Sequence, residues 1–413
     1  MTTRPELEPW FAPAAPCTPG RAAVIGAGIA GASVSHALRE RGWAVTLIDR
    51  HGAAAREASG NPVGVVMPRV TADDGIEARV HAAAWRIALA CFDAFDDAAI
   101  GRARCGVLQV ASDDEDATRL ERIAANGLLA SSQVAFLSAP AASQIAGCEI
   151  ARPCLHFPQG GTVSPPRLCR ALGSDGVLQA DVRGFSECGD GVALHDATGA
   201  ICATADIVVF ANAMGAAVAA PWLPLSARRG QITLAPPTPA SANLRCVLAG
   251  AAYVTPATEG RHCIGATFDW TEADAPQAVR DEDHARNLAA LTGMSEGLFA
   301  DVKRDALDGR AATRCMTPDH LFVAGALPDR DAFLADYAGM RHGQHWRQYP
   351  PARHVPGVYL LTGLGARGLV TAPLAADLLA CHVTGEPWPI ERELMSALNP
   401  ARFLLRDLKR LRE

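Results

Sequence analysis

The clearest pattern near the start of the chain is a short apolar run, a glycine-rich turn and an amphipathic segment. Residues 22–25 are uniformly apolar, as expected of a strand buried in a parallel sheet. After the glycine-rich residues 26–31, apolar side chains recur at the spacing of one helix face, at Ala30, Val34 and Leu38. A second apolar run follows at residues 44–48. This order predicts a β-α-β unit of about 30 residues.

Helical and strand-like patterns alternate along the rest of the chain. Helical periodicity predicts helices within residues 77–99, 279–300 and 371–383. Short apolar runs between glycine turns predict strands within residues 176–210, 226–270 and 358–362. We therefore predict an α/β (α+β) fold of two domains. A Rossmann-like nucleotide-binding domain is built from separated segments, and a β-rich substrate domain is inserted between them.

The same patterns predict where the domains begin and end. The nucleotide-binding domain is assigned to residues 21–95, 160–225 and 350–400. The substrate domain is assigned to residues 96–159 and 226–349. The proline-rich residues 1–20 are expected to form a linker-like tail, and residues 401–413 a basic C-terminal tail.

Composition narrows the class of protein. The 413 residues carry a formal net charge of −6, with 49% hydrophobic and 20% charged residues, which excludes extended disorder, collagen and a coiled coil. The 12 cysteines contain no C-x-x-C spacing, so neither a zinc site nor a redox dithiol is predicted. Free thiols, no signal-peptide pattern and no apolar stretch long enough for a bilayer span favour a cytoplasmic protein without a membrane partner.

The glycine-rich turn has the spacing of a dinucleotide-binding loop. Gly26, Gly28 and Gly31 form G-x-G-x-x-G between a predicted strand and a predicted helix, where free N–H groups and the helix dipole bind a pyrophosphate. Asp49 follows the second strand, at the position from which a carboxylate binds ribose hydroxyls. These features favour a dinucleotide site over a plain glycine turn, and they leave the choice between FAD and NAD open.

A second glycine-rich junction, residues 363–368, connects a predicted strand to a predicted helix near the other end of the chain. A helix N-terminus at this point is suited to stabilising negative charge on a reduced flavin. An ordinary glycine turn is the alternative.

These motifs belong to longer segments of recognisable sequence. The segments are VIGAGIAGA (24–32), ASGNPVGVVMP (58–68), RRGQI (228–232), YVTPATEGRHCIGATFD (253–269), TRCMTPDHLFVAG (313–325), GLGARGLVTAPLAADLLA (363–380) and ALNPARF (397–403). Together they resemble the D-amino-acid-oxidase type of FAD oxidoreductase, the group that includes glycine and sarcosine oxidases. Within that group they resemble the FAD-dependent half of the bifunctional enzyme that modifies the wobble uridine of tRNA.

The resemblance implies FAD as the cofactor and a set of residues that contact it. The set combines the first glycine turn, the end of the second strand, the ASGN loop, isolated main-chain positions and the second glycine junction. Its members are Gly26, Ala27, Gly28, Ile29, Ala30, Gly31, Asp49, Arg50, Ser59, Gly60, Asn61, Gly64, Val182, Ala211, Asn212, Gly365, Arg367, Gly368 and Leu369. For the ASGN loop, a plain turn is the alternative.

The resemblance also implies three side chains at the substrate, namely Arg314, Tyr253 and Arg367. In related glycine oxidases the arginine at this place in the motif binds the substrate carboxylate, through paired charge-assisted hydrogen bonds. The alternative for Arg314 is an ion pair with Asp319. Tyr253 either orients the substrate or packs as a half-buried strand residue, and Arg367 contacts substrate or flavin or forms an ordinary ion pair.

The implied reaction is oxidative removal of the carboxymethyl group from 5-carboxymethylaminomethyl-(2-thio)uridine at tRNA position 34. Its products are 5-aminomethyl-(2-thio)uridine and glyoxylate. The family member is usually fused to a methyltransferase that this sequence lacks, so a separate methyltransferase polypeptide is expected. The alternatives are an FAD-dependent oxidase or dehydrogenase of a free glycine-like, secondary or D-amino acid, and a non-catalytic tRNA-binding flavoprotein.

Two segments are candidates for contact with the anticodon loop. Residues 341–354 combine arginine and histidine with Trp346 and Tyr349, and residues 401–413 carry an excess of basic side chains. Cations suit phosphates, and aromatic rings suit stacking on unpaired bases. A solvated surface is the alternative for both segments.

Overall fold

The computed structural model describes residues 7–173, 176–189, 191–273, 275, 277–344 and 348–410. Some predicted features therefore lie outside the described residues. They are residues 1–6 of the predicted linker, residues 345–347 with Trp346 in the basic segment, and residues 411–413 of the predicted tail.

The described strands, in chain order, are β1 Arg21–Ile25, β2 Ala44–Asp49, β3 Gly64–Val66, β4 Val107–Val110, β5 Ala135–Leu137, β6 Cys154–Phe157, β7 Gly161–Val163, β8 Leu178–Gln179, β9 Gly184–Cys188, β10 Gly191–His195, β11 Ile201–Ala205, β12 Ile207–Phe210, β13 Ser226–Ala235, β14 Val247–Ala249, β15 Tyr253–Val254, β16 His262–Gly265, β17 Asp269–Trp270, β18 Asp308–Met316, β19 Val323–Pro328 and β20 His354–Thr362. The α-helices are α1 Ile29–Arg39, α2 Ile76–Asp93, α3 Asp97–Ile100, α4 Asp114–Ala125, α5 Ala139–Ala146, α6 Pro165–Ala171, α7 Asp281–Ala289, α8 Arg330–Asp336, α9 Gly368–Thr384, α10 Arg392–Leu398 and α11 Ala401–Arg410.

The chain divides into two compact units. The first contains residues 1–56, 169–226 and 315–413, and the second contains residues 57–168 and 227–314. The predicted α/β class, with a domain built from separated segments, is confirmed. The unit boundaries fall at other residues than the predicted domain boundaries: residues 57–95 and 160–168 group with the second unit, and residues 315–349 group with the first. Which ligand each unit binds stays a prediction.

The first unit is built on a six-stranded sheet in the order β19-β20-β12-β1-β2-β8. The strands from β20 to β8 are parallel, and β19 pairs antiparallel with β20. β12 is buried at every position, which is why its sequence is continuously apolar rather than alternating. Helices α1 and α9 pack against each other. This arrangement brings both glycine-rich strand–helix junctions into one unit.

The second unit is built mainly on a large mixed sheet in the order β17-β13-β16-β15-β14-β4-β6-β5. β18 pairs with β13 beside this path, and β3 and β7 form a separate two-stranded sheet. An apolar cluster on one side of the sheet includes Leu108, Leu248, Val254, Ile264 and Leu291. The β-rich character expected of the substrate domain belongs to this unit.

Two sequence-based expectations need correction. The helical pattern within 279–300 gives only α7, which ends at Ala289. Turns follow, and Gly297 at φ +77° prevents a helix from continuing through residue 297. The predicted basic tail forms helix α11, whose Phe403, Leu404 and Leu408 are buried in the first unit. Its apolar face, rather than its charge, decides where it lies.

No helix within the described residues combines the length and the apolar character that crossing a bilayer requires.

Candidate active site

The turn between β1 and α1 depends on glycine at two positions. Gly26 has φ +100°, and a Cβ there would lie 2.7 Å from the carbonyl oxygen of Ala211. A Cβ on Gly31 would collide with the carbonyl oxygen of Gly26. Helix α1 can therefore begin at Ile29, close to the end of β1, and Gly28 at its N-cap adds no side-chain cap. The turn presents main-chain N–H groups and the positive end of the helix dipole, which suit a pyrophosphate.

Asp49 ends β2 and braces this turn. Its Oδ2 accepts a hydrogen bond from the Ala27 N–H at 2.9 Å, and its Oδ1 accepts one from the His51 N–H at 2.9 Å. The Gly26 N–H donates to the carbonyl of Ile48 at 2.7 Å. Asp49 is only half-buried, so its remaining lone pairs are available to a ligand. Its contact with ribose hydroxyls stays a prediction.

The first unit contains four other residues outside the two glycine junctions that are predicted to contact FAD, and their environments differ from one another. Ala211 and Asn212 follow β12 directly, and their main chain lies against Gly26. Arg50 follows directly after β2. Val182 is buried in the apolar core of this unit, so its side chain serves packing. The structure therefore gathers Ala211 and Asn212 at the glycine turn, together with residues 26–31.

The second glycine junction connects β20 to α9. Gly365 has φ +61°, and the short 3-10 helix Gly365–Arg367 leads into α9 at Gly368, with Leu369 in the first turn. A Cβ on Gly368 would lie 3.4 Å from Cγ2 of Ile29, so the first turns of α1 and α9 are neighbours. Two helix N-termini thus lie side by side in the first unit, a favourable location for an anionic cofactor.

The ASGN loop belongs to the second unit. Residues Ala58–Gly60 form a 3-10 turn, and Asn61 Oδ1 accepts a hydrogen bond from Arg310 Nη1 at 3.2 Å. Arg310 also donates to the carbonyl of Glu57 on the other side of the turn. Gly64 opens the following strand, β3. The loop is therefore a braced turn rather than a free one, and the contacts of Ser59 and Gly60 with FAD stay predictions.

Arg310 braces the predicted ASGN loop, and the sequence analysis did not single it out. Strand alternation offered a signal, because residues 310 and 314 of one strand point to the same face. Which loop Arg310 contacts depends on a partner 249 residues away, and no local pattern supplies that information.

Arg314 has an unusual environment for a guanidinium. It lies on β18, half-buried, and its Nη1 donates to the carbonyl of Thr267 at 3.1 Å. Burial lowers its pKa from the ordinary arginine value. Asp319, the alternative partner, instead pairs with Arg402, at 2.8 Å to Nε and 3.2 Å to Nη2, so the ion-pair alternative is wrong. Among the described residues, Arg314 has no carboxylate partner, which leaves donors for an anionic ligand.

Gly230 on the neighbouring strand β13 makes room for this guanidinium. A Cβ on Gly230 would collide with the Nη1, Cζ and Nη2 atoms of Arg314. The main chain of β13 therefore passes directly against the guanidinium, and any other residue at 230 would displace it. Arg314 has a long side chain that can adopt many rotamers. The contact with Gly230 restricts the orientation of its guanidinium.

Tyr253 lies near Arg314 in the second unit. Its ring packs with Val63, Ile232 and Cys263, and its hydroxyl lies 3.8 Å from the Cys263 Sγ. Burial raises the Tyr253 pKa well above its ordinary value, and the neighbouring Arg314 charge only partly opposes that shift. The phenol therefore stays protonated around neutral pH. The structure thus brings together two of the three predicted substrate residues.

The third, Arg367, lies in the first unit at the start of α9. Its carbonyl accepts a hydrogen bond from Thr371 Oγ1 at 3.2 Å. A contact of its side chain with substrate or flavin stays a prediction.

Some described side chains of the two candidate RNA-binding segments make contacts within the protein. The ring of Tyr349 packs edge-on against Trp10, with 6.3 Å between centroids, and its hydroxyl donates to the carbonyl of Gln344 at 3.1 Å. Arg353 pairs with Asp336, and burial lowers the pKa of His354 to about 4. Arg341 and His342 of the same segment are exposed.

Basic side chains of helix α11 also make contacts within the protein. Arg402 forms the ion pair with Asp319, and Arg406 lies 4.9 Å from the centroid of the Phe403 ring. Of its described basic side chains, Lys409 and Arg410 are exposed. Contact of either segment with tRNA stays a prediction.

Solved structures share this fold. A glycine oxidase from Geobacillus kaustophilus matches with a TM-score of 0.71 at 20% identity, over 90% of this chain and 96% of that chain. An iminodiacetate oxidase from Chelativorans sp. BNC1 matches with a TM-score of 0.70 at 23% identity, over 92% and 99% of the two chains.

Curated relatives are more similar in sequence. The tRNA 5-methylaminomethyl-2-thiouridine biosynthesis bifunctional protein MnmC of Methylobacillus flagellatus is 39% identical over 94% of this chain and 60% of its own length. The protein of the same name from Chromohalobacter salexigens is 40% identical over 97% of this chain and 59% of its own. The chain thus spans about three fifths of these relatives.

The family of FAD dependent oxidoreductases described as DAO matches residues 21–382, which include both glycine junctions, the ASGN loop and Arg314. The match confirms the family resemblance drawn from the sequence. The chain belongs to the DAO family of FAD dependent oxidoreductases.

Proposed function

We propose that this chain oxidatively removes the carboxymethyl group from 5-carboxymethylaminomethyl-(2-thio)uridine at tRNA position 34. The similarity to the bifunctional tRNA 5-methylaminomethyl-2-thiouridine biosynthesis proteins supports the substrate. The observation that carries the proposal is the half-buried guanidinium of Arg314, which lacks a carboxylate partner among the described residues. The substrate side chain supplies that carboxylate.

FAD is the cofactor of this family, and the first unit has a suitable cradle for it. Gly26 and Gly31 leave no space for a Cβ, so a ligand at the turn meets main-chain N–H groups at close range. The neighbouring first turns of α1 and α9 place two positive dipole ends on the same side. We propose that residues 26–31, with Asp49, Ala211 and Asn212, hold the dinucleotide, and that Gly365, Arg367 and Gly368 hold the flavin side.

The reaction needs positioning more than strong acid–base catalysis. The substrate arm, uracil–CH₂–NH–CH₂–COO⁻, is an N-substituted glycine. FAD, when bound, supplies a two-electron acceptor for hydride from the glycine carbon. Loss of that hydride and of the amine proton gives the imine uracil–CH₂–N=CH–COO⁻. Water then adds to the imine carbon and releases glyoxylate, while the amine stays on the uridine.

Arg314 fixes the arm by its carboxylate. A guanidinium donates two parallel hydrogen bonds to a carboxylate, which defines the plane and direction of the group as well as its position. Burial makes this charge costly in the free protein, and a substrate carboxylate offsets that cost. The contact with Gly230 limits the orientations of Arg314, so the carboxylate is received in a defined direction.

Tyr253 contributes a neutral hydroxyl beside this anchor. Because burial raises its pKa, the hydroxyl remains a hydrogen-bond donor at neutral pH. We propose that it orients the carboxylate or the amine. Methylation of the product amine, which the name of the relatives implies, is assigned to a methyltransferase outside this sequence.

Anaerobic single-turnover flavin bleaching tests the proposal. The purified protein is mixed separately with tRNA that carries the carboxymethylaminomethyl group, with sarcosine and with glycine. Bleaching by the tRNA with release of glyoxylate is expected. Bleaching by the free amino acids but not by the tRNA would make the protein a small-molecule amine oxidase. Normal flavin content without bleaching by any of them would point to a non-catalytic flavoprotein.

A further inference from the structure

Beside Arg314, the second unit carries a row of alternating cations and aromatic rings. The guanidinium carbon of Arg314 lies 5.7 Å from the centroid of the Phe268 ring. The guanidinium carbon of Arg228 lies 5.4 Å from the same ring and 2.9 Å from the centroid of the Trp270 ring. Arg314, Phe268, Arg228 and Trp270 are therefore successive neighbours, beginning at the predicted carboxylate anchor.

Strand geometry explains why these side chains align. Phe268 and Trp270 are two residues apart, so both rings point to one face of an extended segment. Trp270 on β17 pairs with Arg228 on β13, which places the guanidinium beside the ring. Asp269 points to the other face, where it pairs with Arg286 at 2.8 Å. The register of β13 and β17 thus places Arg228 beside Trp270, and Phe268 immediately precedes β17.

Both rings are exposed to solvent. Trp270 is 71% exposed, the most of any large apolar side chain in the described residues, and Phe268 is 44% exposed. A large aromatic surface left in water costs free energy, and within a folded protein such a surface usually marks a place of contact. Stacking on Arg228 holds the Trp270 ring in one orientation rather than letting it collapse onto the sheet.

We propose that Phe268 and Trp270 form a stacking platform for nucleobases of the tRNA substrate, at or beside the modified uridine. This inference rests on the proposed function. The substrate arm has four bonds between the carboxylate carbon and the ring, about 5 Å when extended. A base held through its carboxylate at Arg314 therefore lies within reach of the Phe268 ring.

The chemistry of the row favours bases over other occupants. Aromatic rings interleaved with arginine suit planar, electron-rich rings of any sequence, as in proteins that bind unpaired nucleotides. Arg228 adds a positive charge that complements a phosphate backbone. A free amino acid occupies Arg314 alone, without extending to Trp270. The platform therefore determines specificity for the tRNA without contributing to the oxidation itself.

The test compares Trp270→Ala, Trp270→Phe and the control Ile201→Ala, which removes another exposed apolar side chain (59% exposed) from the first unit. Steady-state turnover and anaerobic flavin reduction are each measured with tRNA that carries the carboxymethylaminomethyl group and with sarcosine. We expect Trp270→Ala to raise KM for tRNA about tenfold, as loss of one stacked base should, with kcat unchanged. The rate with sarcosine, the flavin absorbance and the Tm should be unchanged, and Trp270→Phe should restore most of the affinity.

Two results would overturn the inference. One is an unchanged KM for tRNA in Trp270→Ala; the other is an equal loss with tRNA and sarcosine. A Trp270→Ala protein that changes oligomeric state but not KM would assign the surface to a second copy of the chain. The wild-type protein tests the proposed function separately. If its flavin were bleached by sarcosine but not by tRNA, both the proposed function and the platform would be overturned.

Discussion

Arg229 and Arg314 lie on the paired strands β13 and β18 of the same unit, yet their surroundings are opposite. Arg229 is buried and donates to Asp283 Oδ2 at 2.5 Å, to Gln231 Oε1 at 2.9 Å and to the carbonyl of Ala278 at 2.5 Å. Arg314 donates one described hydrogen bond, to a main-chain carbonyl. The bonds of Arg229 serve the fold, whereas the remaining donors of Arg314 agree with its proposed role as a ligand anchor.

The largest expected effect is on stability, in Arg229→Met. The substitution leaves Asp283 buried without the Arg229 guanidinium, so the free energy of unfolding should fall by about 3–5 kcal/mol. Urea denaturation measures the change. The double variant Arg229→Met with Asp283→Leu should recover much of the loss, because both buried charges are then gone. An Arg229→Met protein as stable as the wild type would show that this ion pair does not distinguish the two arginines.

Arg314→Met should show the reverse behaviour. Removing the partly buried charge should leave the free energy of unfolding within about 1 kcal/mol of the wild type, or increase it. The kcat/KM for the substrate should fall, since a charge-assisted anchor is lost. The activation free energy derived from kcat/KM should rise by about 1.5–3 kcal/mol or more. The flavin absorbance should be retained. Steady-state kinetics at matched flavin content measure the effect, and near-normal kcat/KM would remove Arg314 from the mechanism.

Gly230→Ala displaces the anchor without removing it. The added Cβ would meet the guanidinium of Arg314, so kcat/KM should fall about 10- to 100-fold through misplacement of the substrate carboxylate. Gly293→Ala is the matched control, because a Cβ at Gly293 has nothing within 4 Å. Equal activity of the two variants would mean that Arg314 tolerates a different orientation.

The smallest effect is expected for Tyr253→Phe. Loss of one neutral hydrogen bond should raise the activation free energy derived from kcat/KM by about 0.5–1.5 kcal/mol. Because the Tyr253 pKa is raised, its phenol does not ionise below its ordinary pKa, and the pH profiles of wild type and variant should have the same shape between pH 7 and 10. An alkaline limb present only in the wild type would contradict this assignment.

Local patterns predicted the glycine-rich part of the fold well. The β-α-β unit and the junction before α9 follow from adjacent apolar runs and from glycines whose φ angles or lack of a Cβ the backbone requires. The α7 prediction extended too far, because the apolar periodicity continues past Ala289, where the helix ends and turns begin.

The features that local patterns did not predict depend on contacts between residues that are distant in sequence. The pairing of Asp319 with Arg402 joins residues 83 positions apart, and Arg310 reaches Asn61 across 249. The ring of Tyr349, expected to meet bases, packs on Trp10, whereas Phe268 and Trp270 had the pattern of ordinary strand residues. Exposure of an aromatic side chain depends on tertiary packing, and it cannot be read from spacing alone.

The bonds of Asp49 have a consequence for how the cofactor joins the protein. Because this carboxylate and the Ile48 carbonyl already hold residues 26–27 in place, the turn keeps its shape before any ligand arrives. Little chain ordering then accompanies association at the turn. We therefore expect apoprotein and FAD to recombine at this turn in a rapid bimolecular step, without a slow unimolecular phase of loop rearrangement.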